Sequence, residues 1–489
     1  MKLEELIYRD EFLSETDISD IEISNVSTNV DEINSATFFV VIRSIKFDIN
    51  KIISKVVKRH PAAILCEDSI AICSTDIPVL RCKNSRKLLS FIYARFYEID
   101  FTKTKFVAVT GTNGKTTTAT MLSHILSSCE KKVGFIGTGK ITSAGRLLSG
   151  DKYSMTTPDP QYLYEIIKAM QDDGCEFIVM EVSSHALHFD KTAPIPFEAS
   201  LFTNLSPEHM DFHNSVEEYF NTKMKIFSQT KLGIFNMDDE YSRKAYDSVE
   251  CKKTSVSLSG KADATATDIK RMGLMGTDFI YRDNGKDLSI RLSLGGDFNV
   301  YNAMMAIRAS ILLGAPKEKI ESALSTLTDI DGRLEIIKDE ITVIIDYAHT
   351  EKAFEKMLEF LFLSKKPEQK LIVVFGCGGE RDKFKRPKMG MSAQKYADHA
   401  VITTDNPRGE SENEIIEDIL SGFTKTNKRT VIISRKSAIE HAIMTAENDD
   451  IVAVIGKGHE RYCYDKNGIH HFDEREIIKQ ALAKRKKIL

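Results

Sequence analysis

Residues 106–119 read FVAVTGTNGKTTTA. The apolar run FVAVT, with two β-branched valines, predicts a strand, and the pattern after Gly114 predicts a helix over 115–128. Between them Gly111-Thr112-Asn113-Gly114 makes a tight turn, followed at once by Lys115, Thr116 and Thr117. Glycines in such a turn let backbone N–H groups face inward and cradle phosphate oxygens. Lys115 can then reach the outer phosphates, and the Thr116 hydroxyl suits a Mg²⁺ ion. The full GxxxxGK[ST] pattern needs glycine at position 109, which is Val109, so the loop is a variant. A plain strand-to-helix turn is the alternative. It is disfavoured because Gly-Lys-Thr falls where both the strand and the helix pattern require it. Taken alone, the loop says that the chain binds a nucleoside triphosphate.

The same alternation continues outward. After the loop come KKVGFIGT, PQYLYEIIKAMQ, EFIVMEVSS, EASLFTNL, VEEYFNTKMKIF and LGIFNM. Continuous apolar strands between amphipathic helices predict parallel β-α-β units. A second series begins near Asp331: ITVIIDYA, KAFEKMLEFLF, LIVVFG, HAVITTDN, NEIIEDILSGF, TVIISR and IVAVIG. It predicts another open parallel sheet, with Asp331-Gly332 as a linker turn. Before the loop, ATFFVVI and AAILCE read as strands and KLLSFIYARFYEI as a helix. The expected fold class is therefore α/β, with domains at 1–103, 104–330 and 331–489.

A chain of 489 residues with 42% hydrophobic residues can fill several cores, and its net charge of −4 carries no electrostatic footprint for nucleic acid. No apolar stretch is long enough to span a bilayer, and the N-terminal MKLEELIYRDEF has no signal-peptide core. The eight cysteines are scattered without close pairs, which argues against a disulfide framework or a structural zinc site and makes a reducing cytoplasm the expected location. Cys377, in FGCGGERD, is expected to be a small buried residue rather than a nucleophile.

Two further residues stand at predicted strand ends. Glu181 closes EFIVME, and His209 follows a strand in FTNLSPEHMDFH. In an open α/β sheet such ends share an edge with the phosphate loop, so both are candidates for a metal–phosphate centre. A surface carboxylate and a satisfied polar histidine are the alternatives.

The order of motifs resembles the Mur ligases, nearest to their MurE branch of UDP-N-acetylmuramoyl-tripeptide synthetases. The motifs are TGTNGKTTT, TTPDP (156–160), EVSSHAL (181–187), FTNLSPEHMDFH (202–213), GDFNVYN (296–302), DGRLE (331–335), DYAHT (346–350), FGCGGERDKFKRP (375–387), TDNPR (404–408) and GKGHE (456–460). The resemblance implies three domains: a substrate domain, a central P-loop ATPase domain with a parallel sheet, and a Rossmann-like C-terminal domain. It implies ATP-dependent addition of an amino acid, with meso-diaminopimelate favoured by DNPR, to UDP-N-acetylmuramoyl-L-alanyl-D-glutamate through an acyl phosphate, in peptidoglycan precursor synthesis. Thr116 and Glu181 would hold one Mg²⁺. His209 and Lys223, the latter as N6-carboxylysine in the helix Tyr219–Phe227, would hold a second. Asn299, Asn302, Arg333, Asp346 and His349 resemble nucleotide contacts. Thr156, Thr157, Ser183, Ser184 and Lys191 resemble contacts to the muramoyl peptide, and Arg381, Asp405, Asn406, Arg408, Gly456 and Glu460 resemble the amino-acid pocket. The partners implied are small molecules, and a monomer is favoured.

Three departures from the family bear on the acceptor. Ser27-Thr28-Asn29 stands where Asp-Ser-Arg is usual, Lys191 where arginine is usual, and Glu351 where proline is usual. They leave open a MurE-like ligase acting on another carboxylate. A nucleotide-dependent switch or binding module is the reading from a different class, and an intact amino-acid pocket argues against it. A folylpolyglutamate-synthase-like ligase would not need DNPR.

Overall fold

A computed structural model describes every residue except 44–47, 73–74, 150–154, 284, 286 and 489. The chain is α/β and forms two compact units. The first comprises Met1–Ala108, Lys131–Ser200 and Thr222–Leu232; the second comprises Val109–Glu130, Leu201–Asn221 and Gly233–Leu489.

In the first unit, β1 (Asn25–Ser27), β2 (Thr37–Val40), β3 (Ala63–Glu67) and β4 (Val79–Cys82) form a four-stranded sheet in that order, parallel throughout. Phe39, Val41, Ile64 and Cys66 on one face pack with Ile53 and Val56 of the helix Ile49–Lys58. Strand β5 (Lys105–Thr110) passes from the first unit into the second. Strands β6 (Val133–Gly137), β7 (Lys140–Ser143), β8 (Arg146–Ser149) and β9 (Phe177–Glu181) return to the first. There β6 runs parallel to β9 and antiparallel to β7. Strands β10 (Phe197–Phe202) and β11 (Thr230–Asn236) also cross between the units.

The second unit holds β12 (Lys252–Ser257), β13 (Ala264–Arg271), β14 (Thr277–Arg282) and β15 (Leu288–Leu292), side by side. It also holds β16 (Glu335–Lys338), β17 (Thr342–Asp346), β18 (Leu371–Phe375), β19 (His399–Ile402), β20 (Arg429–Val431) and β21 (Ile451–Ile455). These last six form a sheet of order β16-β17-β21-β18-β19-β20, in which only β16 is antiparallel. Alternate residues face opposite layers. Ile344, Val373, Phe375, Ile402 and Ala453 pack on Phe354, Leu358, Met389 and Ile416. Val343, Ile345, Val374, Val401 and Val454 pack on Ile439, Ile443, Ile478 and Leu482. Helices thus cover both faces, and each fully buried aliphatic or aromatic side chain contributes roughly 1.5–3 kcal/mol. The loops leaving β17, β18, β19 and β21 at their carboxyl ends carry DYAHT, GCGGER, TDNPR and GKGHE. Brought to one edge, they meet the general rule for ligand sites in open α/β sheets.

The helix expected over 115–128 is present as Lys115–Ser128, and Asp331-Gly332 makes the expected turn. Cys377 is buried, and burial pushes its thiol up to about 11, far from a thiolate. No disulfide joins the seven described cysteines; Cys73 lies outside the described residues.

Candidate active site

The nucleotide loop is built from its own glycines and from the segment after β10. Gly114 caps the helix Lys115–Ser128 at φ 86°, and Gly111 sits at φ 139°. A Cβ at Gly111 would overlap the Thr203 hydroxyl, and one at Gly114 would overlap the Asn302 amide, so close approach as well as backbone shape requires glycine. The Asn113 carbonyl accepts from the Thr203 hydroxyl at 2.7 Å and from Asn204 Nδ2 at 3.0 Å. Thr112 donates its hydroxyl to the Ser206 carbonyl at 3.2 Å and lies 3.2 Å from the Tyr219 hydroxyl. Lys115 folds over the loop, donating to the carbonyls of Gly111 (3.0 Å) and Thr112 (2.8 Å). Thr118 and Asn302 are hydrogen-bonded at 3.2 Å, while Asn299 donates to the Gly295 carbonyl at 2.9 Å. Asn302 thus braces the loop directly, and Asn299 stands one contact behind it.

Arg333 joins this loop to the third segment of the chain. Its Nη2 donates to the Thr116 hydroxyl at 3.1 Å, and its guanidinium lies 4.4 Å from the Tyr347 ring centroid. Asp346, at the end of β17, is buried and accepts the N–H groups of Leu334 and Ala348 at 2.7 Å each, which ties the linker to the sheet. Burial raises the Asp346 carboxyl, an effect opposed by Arg333 and these two bonds. His349 pairs with Glu208 at 2.9 Å, and His209 lies 3.8 Å from the same carboxylate. Burial would raise Glu208, yet His209, His349 and Lys115 together hold it well below the usual carboxylate range. Glu208 was missed by sequence reasoning, although it directly precedes His209.

The first unit gathers a separate set. Glu181 ends β9 fully buried and accepts the Thr138 N–H at 2.9 Å and its hydroxyl at 3.3 Å. Thr138, also missed, donates its hydroxyl to Thr156 at 3.0 Å. Thr157 donates to the Glu181 carbonyl at 3.0 Å and accepts the Ser183 N–H at 3.2 Å. Ser183 caps the short helix Ser184–His188, and the Ser184 hydroxyl is buried without a hydrogen-bond partner among the described residues. Lys191 is taken up by Asp159 at 2.8 Å and the Thr157 carbonyl at 3.3 Å. Lys223, in the helix Val216–Met224, is only 1% exposed, which sets it apart from a solvated helix lysine. Glu181 and Lys223 belong to the first unit, Thr116 and His209 to the second. Among the described residues no group of three His, Cys, Asp or Glu side chains forms a metal cluster.

The remaining candidates converge at the carboxyl ends of β18, β19 and β21. A Cβ on Gly378 would lie 3.1 Å from Arg408 Nη1, 3.7 Å from Arg381 Cγ and 3.9 Å from the Asn406 carbonyl. A Cβ on Gly456 would lie 3.2 Å from Asp405 Oδ2. Asn406 Nδ2 donates to Glu460 Oε2 at 2.8 Å. Lys457, entirely buried, reaches Asn406 at 2.9 Å, Asp405 at 3.3 Å and Glu460 at 3.4 Å. Arg408, at φ 53°, uses Nη1 to hold the carbonyls of Gly379 (2.7 Å) and Asn406 (3.4 Å). It therefore ties its own loop to the loop after β18 with one guanidinium nitrogen, and the other two make no hydrogen bond to a described residue. Arg381 lies 3.4 Å from Asp211. Behind them Arg386, fully buried, bonds Glu410, Asp418 and the Gly378 carbonyl. Lys457 and Arg386 carried no signal in the sequence beyond their place inside GKGHE and FKRP.

Two family profiles match the chain: Mur ligase middle domain over residues 109–310, and Mur ligase, glutamate ligase domain over residues 332–458. A UDP-N-acetylmuramoyl-L-alanyl-D-glutamate--2,6-diaminopimelate ligase of Clostridioides difficile is 36% identical over 99% of this chain and 100% of its own. The chain belongs to the Mur ligase family. Ligase 1 of the same description from Clostridium acetobutylicum is also 36% identical, covering 94% of this chain and 95% of its own. A solved structure of a ligase of that description superposes with a TM-score of 0.69 at 25% identity, covering 99% of each chain. As a Mur ligase the chain is an ATP-dependent acid–amino-acid ligase with the three-domain α/β architecture of that family. No helix among the described residues is long and apolar enough to cross a membrane.

Proposed function

We propose that this Mur ligase joins meso-diaminopimelate to the D-glutamyl carboxylate of UDP-N-acetylmuramoyl-L-alanyl-D-glutamate in peptidoglycan precursor synthesis. The names of its relatives support the reading. The observation that carries it is the cluster of Asp405, Asn406, Lys457 and Glu460 beside Arg381 and Arg408, which a nucleotide switch would not need.

The substrate carboxylate attacks the γ-phosphorus of ATP and ADP leaves, giving an acyl phosphate. The amine then attacks the acyl carbon, and the tetrahedral intermediate expels phosphate and leaves an amide. The obstacle is charge, because a carboxylate must approach an anionic phosphoryl group. Lys115 and Arg333 supply fixed cations at the nucleotide loop, and the glycine cradle fits backbone donors against phosphate oxygens. By family resemblance Thr116 and Glu181 would hold one Mg²⁺, and His209 with N6-carboxylated Lys223 a second; such ions neutralise phosphate charge. Each side chain has chemistry suited to such a role: Thr116 offers a hydroxyl, Glu181 a buried carboxylate, and Lys223 a side chain hidden from water. Thr156, Thr157, Ser183 and Ser184 would face the peptide, and the unpartnered Ser184 hydroxyl is the clearest opening for it. The domains at 1–103, 104–330 and 331–489, a cytoplasmic location and action as a monomer complete the proposal.

A second reading, the same chemistry on another carboxylate, is favoured by one observation. Ser27 and Asn29, where the family's nucleotide-sugar signature is expected, are both bonded to Glu32. Phosphate release from ATP, measured across UDP-muramoyl peptides and candidate amino acids, separates the two. Turnover that requires both UDP-N-acetylmuramoyl-L-alanyl-D-glutamate and meso-diaminopimelate supports the first. Turnover with another acceptor alone supports the second. L-lysine belongs in the same matrix, because equal kcat/KM for the two amino acids would mean that Arg408 does not read the substrate.

A further inference from the structure

Glu460 has two oxygens with different surroundings. Oε2 accepts from Asn406 Nδ2 at 2.8 Å and lies 3.4 Å from Lys457 Nζ, while no described residue hydrogen-bonds Oε1. Asn406 cannot turn its amide round, because Oδ1 already accepts from Lys457 at 2.9 Å and from the Tyr464 N–H at 2.9 Å. The pocket therefore fixes which face of Glu460 is spoken for.

Most charges around it are paired with partners outside the cluster. Arg435 faces the cluster but is committed to Glu474 at 2.6 Å. His349, on the loop after β17, is committed to Glu208 at 2.9 Å. Tyr347 is half-buried, and desolvation pushes its hydroxyl well above its ordinary range, so it stays neutral. Within the hydrogen-bonded cluster itself stand two anions, Asp405 and Glu460, and one cation, Lys457; Asp405 and Lys457 are buried and Glu460 is half-buried, while Arg408 and Lys385, the nearby cations, hydrogen-bond none of the three. Burial would raise both carboxyls. Lys457 and Arg435 nevertheless hold Asp405 below its ordinary value, whereas Glu460 is left raised by burial, with Lys457 opposing.

We propose that Lys457 is a specificity-determining positioning residue: with Asn406 it occupies one oxygen of Glu460 and cancels one of the two carboxylates, so that the pocket presents a single anionic oxygen to a single ammonium group. The ligand class is an amino acid whose far end carries one ammonium. This rests on the ligase reading above and adds what sets the charge of the pocket. A lysine with no direct contact to substrate then decides how strongly the substrate cation is held. The sign follows from burial. Without the Lys457 ammonium, Glu460 would protonate more readily and hold a cation less firmly, and raising the pH would restore the hold.

The test is steady-state kinetics of the full chain with UDP-N-acetylmuramoyl-L-alanyl-D-glutamate, ATP and meso-diaminopimelate, from about pH 6.5 to about pH 9. Lys457→Met should raise KM for meso-diaminopimelate at least about tenfold near pH 7. KM for ATP should stay within about twofold, and the amino-acid defect should shrink as pH rises. Lys457→Arg, which keeps the cation, should recover most of the affinity. Should Lys457→Met fail to fold, Lys457→Gln keeps N–H donors toward Asn406 and Asp405 and should show the same pH-dependent defect. An amino-acid KM unchanged in a folded variant, or raised equally at every pH, would overturn the proposal alone. No amino-acid-dependent turnover by the unaltered enzyme would overturn the ligase reading and this proposal with it.

Discussion

Two strand ends, one after β1 and one after β19, invite the same question of what they bind, and they treat their polar groups in opposite ways. After β1, the Ser27 hydroxyl bonds Glu32 at 2.6 Å, and Asn29 bonds the same carboxylate at 3.2 Å while capping the turn Val30–Glu32. Asp31 next to it pairs with Arg59 at 3.0 Å. Each group there already has a partner within the loop or the neighbouring helix. After β19, Asp405 and Asn406 enclose Lys457 and Glu460, and that cluster closes with one anion over and one carboxylate oxygen open. A loop that satisfies itself is stable and has little left to give a ligand. A largely buried cluster that does not balance costs free energy, and beside it Arg386 and Glu410 pin the loop after β18 to the loop after β19. The amino-acid end of the reaction is therefore more firmly readable than the nucleotide-sugar end.

The comparison can be broken or sharpened by substitution. The largest effect belongs to the nucleotide loop, on which both ends depend: Lys115→Ala should lower kcat by about 10²–10³-fold, measured as phosphate release. A loss of only a few-fold would remove the loop from the chemistry. Next, Glu460→Gln keeps the shape of the side chain and the Asn406 contact but removes the spare anion. KM for the amino acid should rise about thirtyfold with little change in KM for ATP. A smaller, structural effect concerns Glu410. The hydrogen bond from Arg386 holds its carboxyl well below the ordinary carboxylate range, with Lys383 helping. A depressed folded value means that the stabilisation is fully present above the unfolded pKa and is lost as pH falls through the folded one. Thermal melts should show Glu410→Gln destabilised relative to the unaltered protein at neutral pH, with the gap narrowing below about pH 4. A gap that holds constant with pH would mean that the pair contributes shape rather than charge. Smallest of all, Ser27→Ala should change KM for the UDP-linked acceptor by less than about twofold. A shift as large as that of Glu460→Gln would show that the end of β1 reads the acceptor after all and would erase the contrast.

Much of this was legible in the chain because it depends on neighbours in sequence. The turn from β5 into the helix Lys115–Ser128 and the alternation from β17 to β21 are local patterns, and the structure keeps them. Between 237 and 295 no element is assigned from the sequence, although β14 and β15 alternate buried with more exposed residues. There the register of β13 shifts between Thr267 and Lys270, where Asp268 takes φ 53°, and the period of two is broken. Glu351, in place of the usual proline, is the first residue of the helix Glu351–Ser364, where a carboxylate suits the helix dipole. Glu208, Thr138, Arg386 and Lys457 were missed for another reason. Charged and polar residues are normally on the surface, and only a partner brought in from a distant part of the chain turns one into part of a site. Glu208 meets His349, and Lys457 meets Asp405, through the fold alone.

The claim beneath all of these is that ATP is spent to activate a carboxylate for attack by an amine. It can be followed by oxygen. If UDP-N-acetylmuramoyl-L-alanyl-D-glutamate carries ¹⁸O in its reacting carboxylate, an acyl phosphate transfers one of those oxygens to the phosphate that leaves when the amide forms. The expected result is one labelled oxygen in each phosphate released with meso-diaminopimelate. Unlabelled phosphate, with amide formed or with ATP merely hydrolysed, would contradict it.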